Sequence, residues 1–142
     1  MASKFKLKII TPERVVLETE AEKLTATAVD GELTILPNHE PLVTALGIDM
    51  LRYTNNGEEE SAAIIGGILE VGNEEVHVLS DVAELGVEIN EARANEAKAR
   101  AEAEKTQKED KLDTYLTEMA LSRAIARLKA VEFAKRRKKT RV

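Results

Sequence analysis

Hydrophobic residues alternate with polar ones along the first part of the chain and change to a three- and four-residue rhythm in the second. Phe5, Leu7 and Ile9 interleave with Lys4, Lys6 and Lys8, the pattern of a strand with one buried and one basic face. Past a Thr11-Pro12-Glu13 turn, Val15, Val16 and Leu17 restart the pattern, and residues 24–29 continue it. Asp30-Gly31 is a hairpin dipeptide between two such runs, and Asn55-Asn56-Gly57 joins 48–54 to 60–65 in the same way. Asn73 turns the chain between 68–71 and 75–79. Gly66-Gly67 falls between strand segments and predicts close backbone packing or a bulge. Short strands at this spacing predict an all-β sandwich or barrel of about 85 residues.

All prolines and glycines lie at or before Gly86, and the grammar then becomes helical. Ala92, Ala94, Ala97, Ala99, Ala101 and Ala103 sit among Glu, Lys and Arg, with Asn90 placed to cap and Glu91 in the first turn. Thr106-Gln107-Lys108-Glu109-Asp110 reads as a turn. A second helix then carries Leu112, Leu116, Met119, Leu121, Ile125, Leu128 and Val131 on one stripe. Small residues facing large ones predict two closely packed antiparallel helices, a thin pair of marginal stability that moves easily. The fold class is therefore α+β in two parts. An N-terminal all-β sandwich over 1–86 precedes a C-terminal antiparallel two-helix hairpin over 87–142.

Composition narrows the chemistry. With 43% apolar and 33% charged residues in 142, a packed core is expected. The absence of cysteine excludes disulfides, Cys-ligated zinc and thiol nucleophiles, and places the chain in a reducing compartment. Two histidines, His39 and His77, are too few for a metal centre or a relay, and His77 between Val76 and Val78 reads as the exposed face of a strand. The longest apolar run, 62–69, is far short of the ~20 residues that span a bilayer, and the N-terminus shows no signal-peptide core. No phosphate-binding glycine loop is present, and His39-Glu40-Pro41 is no zinc-helix signature. The net charge of −5 conceals an asymmetry: residues 112–142 hold nine Lys/Arg against three acids. A basic end on an acidic body suits an acidic surface of protein, nucleic acid or lipid, or simply complements the helix dipole. The expectation is a binding or regulatory module, not an enzyme.

The stretch Gly31-Glu32-Leu33-Thr34-Ile35-Leu36-Pro37-Asn38-His39-Glu40-Pro41-Leu42-Val43 resembles the corresponding motif of the epsilon subunits of F-type ATP synthases. Ile9-Ile10-Thr11-Pro12-Glu13, Gly66-Gly67-Ile68-Leu69-Glu70-Val71, Glu91-Ala92-Arg93-Ala94 and Ala120-Leu121-Ser122-Arg123-Ala124-Ile125-Ala126-Arg127-Leu128 extend the resemblance in collinear order over nearly the whole chain. Thr34 and Asn38 stand where the family usually has glycine, which bears on the local turns. The basic tail 135–142 runs beyond where many members stop.

The resemblance implies a β-sandwich at the foot of the central stalk, bound to the gamma subunit and the c ring, which helps couple proton or sodium flow to ATP synthesis. It implies a non-catalytic subunit whose hairpin folds onto the sandwich or extends along gamma, where it meets the catalytic beta and alpha subunits transiently and restrains ATP hydrolysis. Location would be peripheral, on the cytoplasmic face of a bacterial inner membrane or the stromal face of a thylakoid, with membrane contact only through the complex. Glu32 and His39 would dock the gamma and c-ring side, and Gly86 would be the hinge. Arg123, Arg127, Lys129, Lys135 and Arg136 would make the inhibitory basic contacts. No cofactor or metal is required, but some bacterial members bind ATP through an Ile-Asp-x-x-Arg-Ala motif. Its counterpart is Ile89-Asn90-Glu91-Ala92-Arg93-Ala94, with Glu84, Arg100, Arg123 and Arg127. Arg93 and Arg100 are two turns apart on one helix, and Arg123 and Arg127 are one turn apart on the next, so four guanidiniums are expected to converge on a triphosphate. Asn90 replaces the family's aspartate and predicts weak ATP binding or none. A small nucleic-acid-binding β domain with a basic helical tail is the alternative, opposed by an acidic β part whose only aromatics are Phe5 and Tyr53.

Overall fold

The computed structural model describes residues 3–107 and 110–140, apart from the side chains of 138–140. Lys108 and Glu109 of the expected interhelical turn, and residues 141–142 of the basic tail, lie outside the described residues. The strands are β1 (Phe5–Ile10), β2 (Val15–Ala21), β3 (Lys23–Ala28), β4 (Gly31–Ile35), β5 (Leu42–Asn55), β6 (Glu58–Val71), β7 (Glu75–Leu79) and β8 (Ala83–Leu85), followed by α1 (Glu91–Lys105) and α2 (Lys111–Thr140). Their order is β2-β1-β7-β6-β5-β3-β4, with β8 on β6; β1 and β7 run parallel and the other pairs antiparallel.

The 14-residue strands β5 and β6 form one long ribbon shared by both layers. One end of β6 pairs with β8 and the other with β7, while β3 lies on the outer side of β5. Folding that ribbon over closes a sandwich on a single core, in which Leu7, Ile9, Leu24, Ile35, Leu51, Leu69, Val76 and Val78 are fully buried. The two shorter strands expected over 60–65 and 68–71 are thus one strand. Gly66 (φ 72°) and Gly67 (φ 137°) carry the chain through the bend, and the ladder resumes beyond them in unchanged register, Leu46 opposite Gly67 and Ile48 opposite Ile65. Likewise β5 begins at Leu42 rather than Ile48, because apolar Val43 and Ala45 on the outer face hide the alternation. Of the two departures from the family's glycines, Asn38 holds a left-handed φ of 67° that asparagine tolerates next best. Thr34 bears on no turn. It sits in the β4 ladder, its hydroxyl 3.3 Å from that of Thr25.

A Cβ on Gly67 would overlap the carbonyl oxygen of Leu79 on the neighbouring strand, where only backbone movement makes room. With a left-handed φ added, Gly67→Ala is expected to cost about 3 kcal/mol in chemical denaturation. A loss below about 1 kcal/mol would show that β7 yields freely.

Asn90 caps α1 through its side-chain oxygen, which accepts the Arg93 N–H at 3.0 Å. α1 buries Ala94 and Ala101. The expected stripe on α2 holds at Leu128 and Val131 but not at Leu112 and Leu116, which are 62% and 55% exposed. Thr117 takes the buried position there, its hydroxyl satisfied by Asp113 O at 2.9 Å, because α1 presents only alanines and accepts small partners. The second half of α2 has a second buried face. Ala126 and Ala130 pack on Ala63 of β6, with Ile48, Met50, Ile65 and Ile89 around them, so the hairpin lies folded down on the sandwich. Ser61 Oγ donates to Ala130 O at 2.8 Å.

Candidate functional site

Two polar regions arise where the hairpin meets the sandwich. The first is a cleft of about 240 Å³ framed by Glu84 of β8, Ile89 and Asn90 of the connection, Arg93, Ala94 and Ala97 of α1, and Arg127 of α2. Glu84 stands opposite Ala63 on the short β8–β6 ladder, which aims its carboxylate at α2. Arg127 meets it as a fork: Nε donates to both carboxylate oxygens at 3.1 and 3.2 Å, and Nη2 to Oε1 at 3.0 Å. Both side chains are about a third exposed or less, so this pair is stronger than an ordinary surface contact.

Six of the expected nucleotide-site residues, Glu84, Ile89, Asn90, Arg93, Ala94 and Arg127, line this one cleft. Arg100 and Arg123 do not line it, so two guanidiniums converge rather than four. An arginine two turns along α1, or one turn back along α2, has moved past the mouth of a cleft this short. Arg93 is exposed and has no hydrogen-bonding or ionic partner for its guanidinium among the described residues. The side-chain oxygen of Asn90 is already engaged in the cap.

The second region is a chain of charges along α2. Lys129 Nζ lies 3.2 Å from Asp49 Oδ1 on β5, Lys135 pairs with Glu91 at the start of α1, and Arg137 reaches Glu58 at 3.2 Å and also Glu60 on β6. Burial raises the Asp49 carboxyl, but hydrogen bonds from the Met50 N–H and the Thr27 hydroxyl, together with Lys129, outweigh it and hold the group below its ordinary value. Asp49 is therefore a fixed anion at neutral pH. Tyr53, beneath Glu60 and Arg137, is pushed up to about 12 by burial and by Glu60, against the opposing pull of Arg137. Of these acids the sequence singles out only Glu91, and as a first-turn residue, not as the partner of Lys135. Only the general match of a basic end to an acidic body pointed to them.

Glu32 is exposed on β4 and borders a groove beneath α2 together with Arg136 and Lys129. His39 lies in the connection after β4, its Nδ1 2.6 Å from Glu40 O, and no hydrogen bond or ion pair joins it to Glu32. His77 is on β7, its Nε2 3.1 Å from Glu75 Oε2. Gly86 is not a loose linker: its N–H donates to Ser61 O at 2.9 Å, and a Cβ there would overlap Ser61 Oγ and stand 2.7 Å from Ala130 O. Among the described residues no cluster of His, Asp or Glu could hold a metal ion, and no helix is long and apolar enough to cross a membrane.

Residues 4–86 match the family model of the ATP synthase Delta/Epsilon chain beta-sandwich domain, and residues 88–132 that of its long alpha-helix domain. ATP synthase epsilon chains of Desulfitobacterium hafniense and Desulforamulus reducens are each 44% identical to this chain. The first alignment covers 92% of this chain and 98% of the relative, the second 93% and 100%. The chain belongs to the ATP synthase epsilon family.

This epsilon-family chain also shares its fold with a chain of the Euglena gracilis mitochondrial ATP synthase (TM-score 0.77, 22% identity, covering 92% of this chain and 81% of that one). A chain of the Tetrahymena thermophila mitochondrial ATP synthase central stalk and c ring is a more distant match (TM-score 0.56, 13% identity, 90% and 96%). The two aromatics of the sandwich, Phe5 and Tyr53, are both buried in its core and offer no base-stacking surface, which weighs against the nucleic-acid alternative.

Proposed function

We propose that this epsilon-family chain is a non-catalytic rotor subunit of an F-type ATP synthase, with its sandwich on gamma and the c ring and its hairpin a movable restraint on ATP hydrolysis. The observation that supports this best is the contrast between its two interfaces. The sandwich closes its own core without a residue from either helix, whereas α2 rests outside that core, with Ala126 and Ala130 on Ala63 among half-buried Ile48, Met50 and Ile65, and through a row of ion pairs. An interface separate from the core and so dependent on charge can open without unfolding the sandwich.

Once released, Arg123, Arg127, Lys129, Lys135 and Arg136 are free to meet an acidic loop of the catalytic subunits. Arg127, Lys129 and Lys135 thus serve two states, held by the chain's own acids in one and by a partner's in the other. Gly86 marks the end of the sandwich and is the pivot. Glu32 and His39 remain candidates for the edge that faces the c ring. The complex would hold the subunit at the membrane surface, on the cytoplasmic face in a bacterium or the stromal face in a plastid. The cleft at Asn90 is a regulatory ATP site of low affinity, because its best cation is already taken by Glu84.

Assembly is the test of this reading. The chain is expected to elute with gamma and the large catalytic subunits when the complex is purified. Elution alone, with the complex otherwise complete, would refute it.

A further inference from the structure

The family's helix-domain model matches this chain only as far as residue 132, yet α2 continues to Thr140 as one unbroken helix. The added turns are anchored. Lys135 reaches across to Glu91 in the first turn of α1, and Arg137 forks onto Glu58 and Glu60 on the first residues of β6. Arg137 is the better placed of the two, with only 17% of its side chain exposed although it lies near the end of the chain. A long cation near a helix terminus ordinarily extends into water. Here it is laid against the sandwich over Tyr53, between two carboxylates.

The Glu84–Arg127 pair is level with Ala63, beside the contact of Ala126 and Ala130, and Lys129 meets Asp49 on β5, whereas Arg137 holds the helix further on, at the start of β6. A helix held at several places can leave only if every hold breaks. We infer that the last turns of α2 act as a strap through Arg137, buckled on Glu58 and Glu60, that biases the hairpin toward its folded position on the sandwich.

The inference rests on the proposed mobility of the hairpin but gives Arg137 a role opposite to inhibition. It would retard the release of α2, so loss of its two contacts favours the extended arrangement while leaving in place the cations from Arg123 to Arg136 that perform the restraint. Breaking the two Arg137 pairs is expected to change the open population by about tenfold.

Hydrogen exchange of the full-length chain provides the readout, with α2 amides around Ala126 and Ala130 reporting release and β7 amides reporting the integrity of the sandwich. Arg137→Glu is expected to speed exchange across 124–131 about tenfold at unchanged β7 protection, and a compensating Glu58→Lys, Glu60→Lys pair to restore it. Ala130→Glu serves as an independent opener, since it disrupts the docking contact without touching the strap. If Ala130→Glu opens α2 but Arg137→Glu speeds only residues 133–140, the strap is a fraying helix end and the inference fails. If neither variant opens α2, hairpin mobility itself is refuted.

Discussion

Removing residues 112–142 is expected to raise ATP hydrolysis by the assembled complex while leaving the truncated subunit bound to it. The sandwich core contains no helical residue, so its own stability should survive the deletion. Losing α2 uncovers the face formed by Ala63, Ile48, Met50 and Ile65, which lies outside that core. The removed segment carries nine basic residues, including the five assigned to inhibitory contacts. Each exposed contact with an acidic loop contributes only ~0.2–1 kcal/mol, but several together amount to about a tenfold change in rate or occupancy. Raised ionic strength should reproduce part of the effect, because such pairs are screened within a Debye length of about 8–10 Å. A truncated chain that no longer bound gamma would overturn the division of labour between the two parts.

The second large effect concerns nucleotide. The native chain is expected to bind ATP weakly or not at all, and Asn90→Asp to bind it roughly ten- to a hundredfold more tightly. Asn90 has one acceptor oxygen, which the Arg93 N–H already occupies. Aspartate would keep the cap with one oxygen and offer the second, charged, to the ligand, and a charged hydrogen bond contributes ~1.5–3 kcal/mol. The structure adds a second obstacle in the Glu84–Arg127 fork, since phosphate must displace a carboxylate to engage that guanidinium. Calorimetry on both forms decides the matter. Tight binding by the native chain would refute the weakening argument, and no binding by Asn90→Asp would refute the site.

How much of this was legible in the sequence follows the range of the interactions involved. The Asn90 cap, the Asp30-Gly31 hairpin and the alternation in β1 are local, and local composition encodes them. Gly66-Gly67 announced a close approach, but only the ladder revealed that the chain passes straight through it as one strand. The cleft was legible in outline because the motif names its residues. Its closure was not, because Glu84 and Arg127 stand 43 positions apart and Asp49 and Lys129 stand 80 apart. No periodicity pairs a given acid with a given base over such distances. The α2 stripe departs from expectation at Leu112 and Leu116 for a related reason. A helix with one neighbour has one apolar face, whereas this 30-residue helix has the 15-residue α1 beside one part of it and the sandwich beneath another. Alanines at 124, 126 and 130 therefore lie buried where leucines were expected.

The central claim, that the docked hairpin must leave the sandwich to restrain hydrolysis, is tested most directly by locking it in place. The chain contains no cysteine, so Ser61→Cys with Ala130→Cys would place a single pair of its own across the docking face, where Ser61 Oγ already touches Ala130 O at 2.8 Å. Assembled into the complex and oxidised, this variant is expected to hydrolyse ATP at the rate seen with residues 112–142 deleted, and to regain its restraint on reduction. Hydrolysis that stays restrained in the oxidised, crosslinked complex would contradict the account.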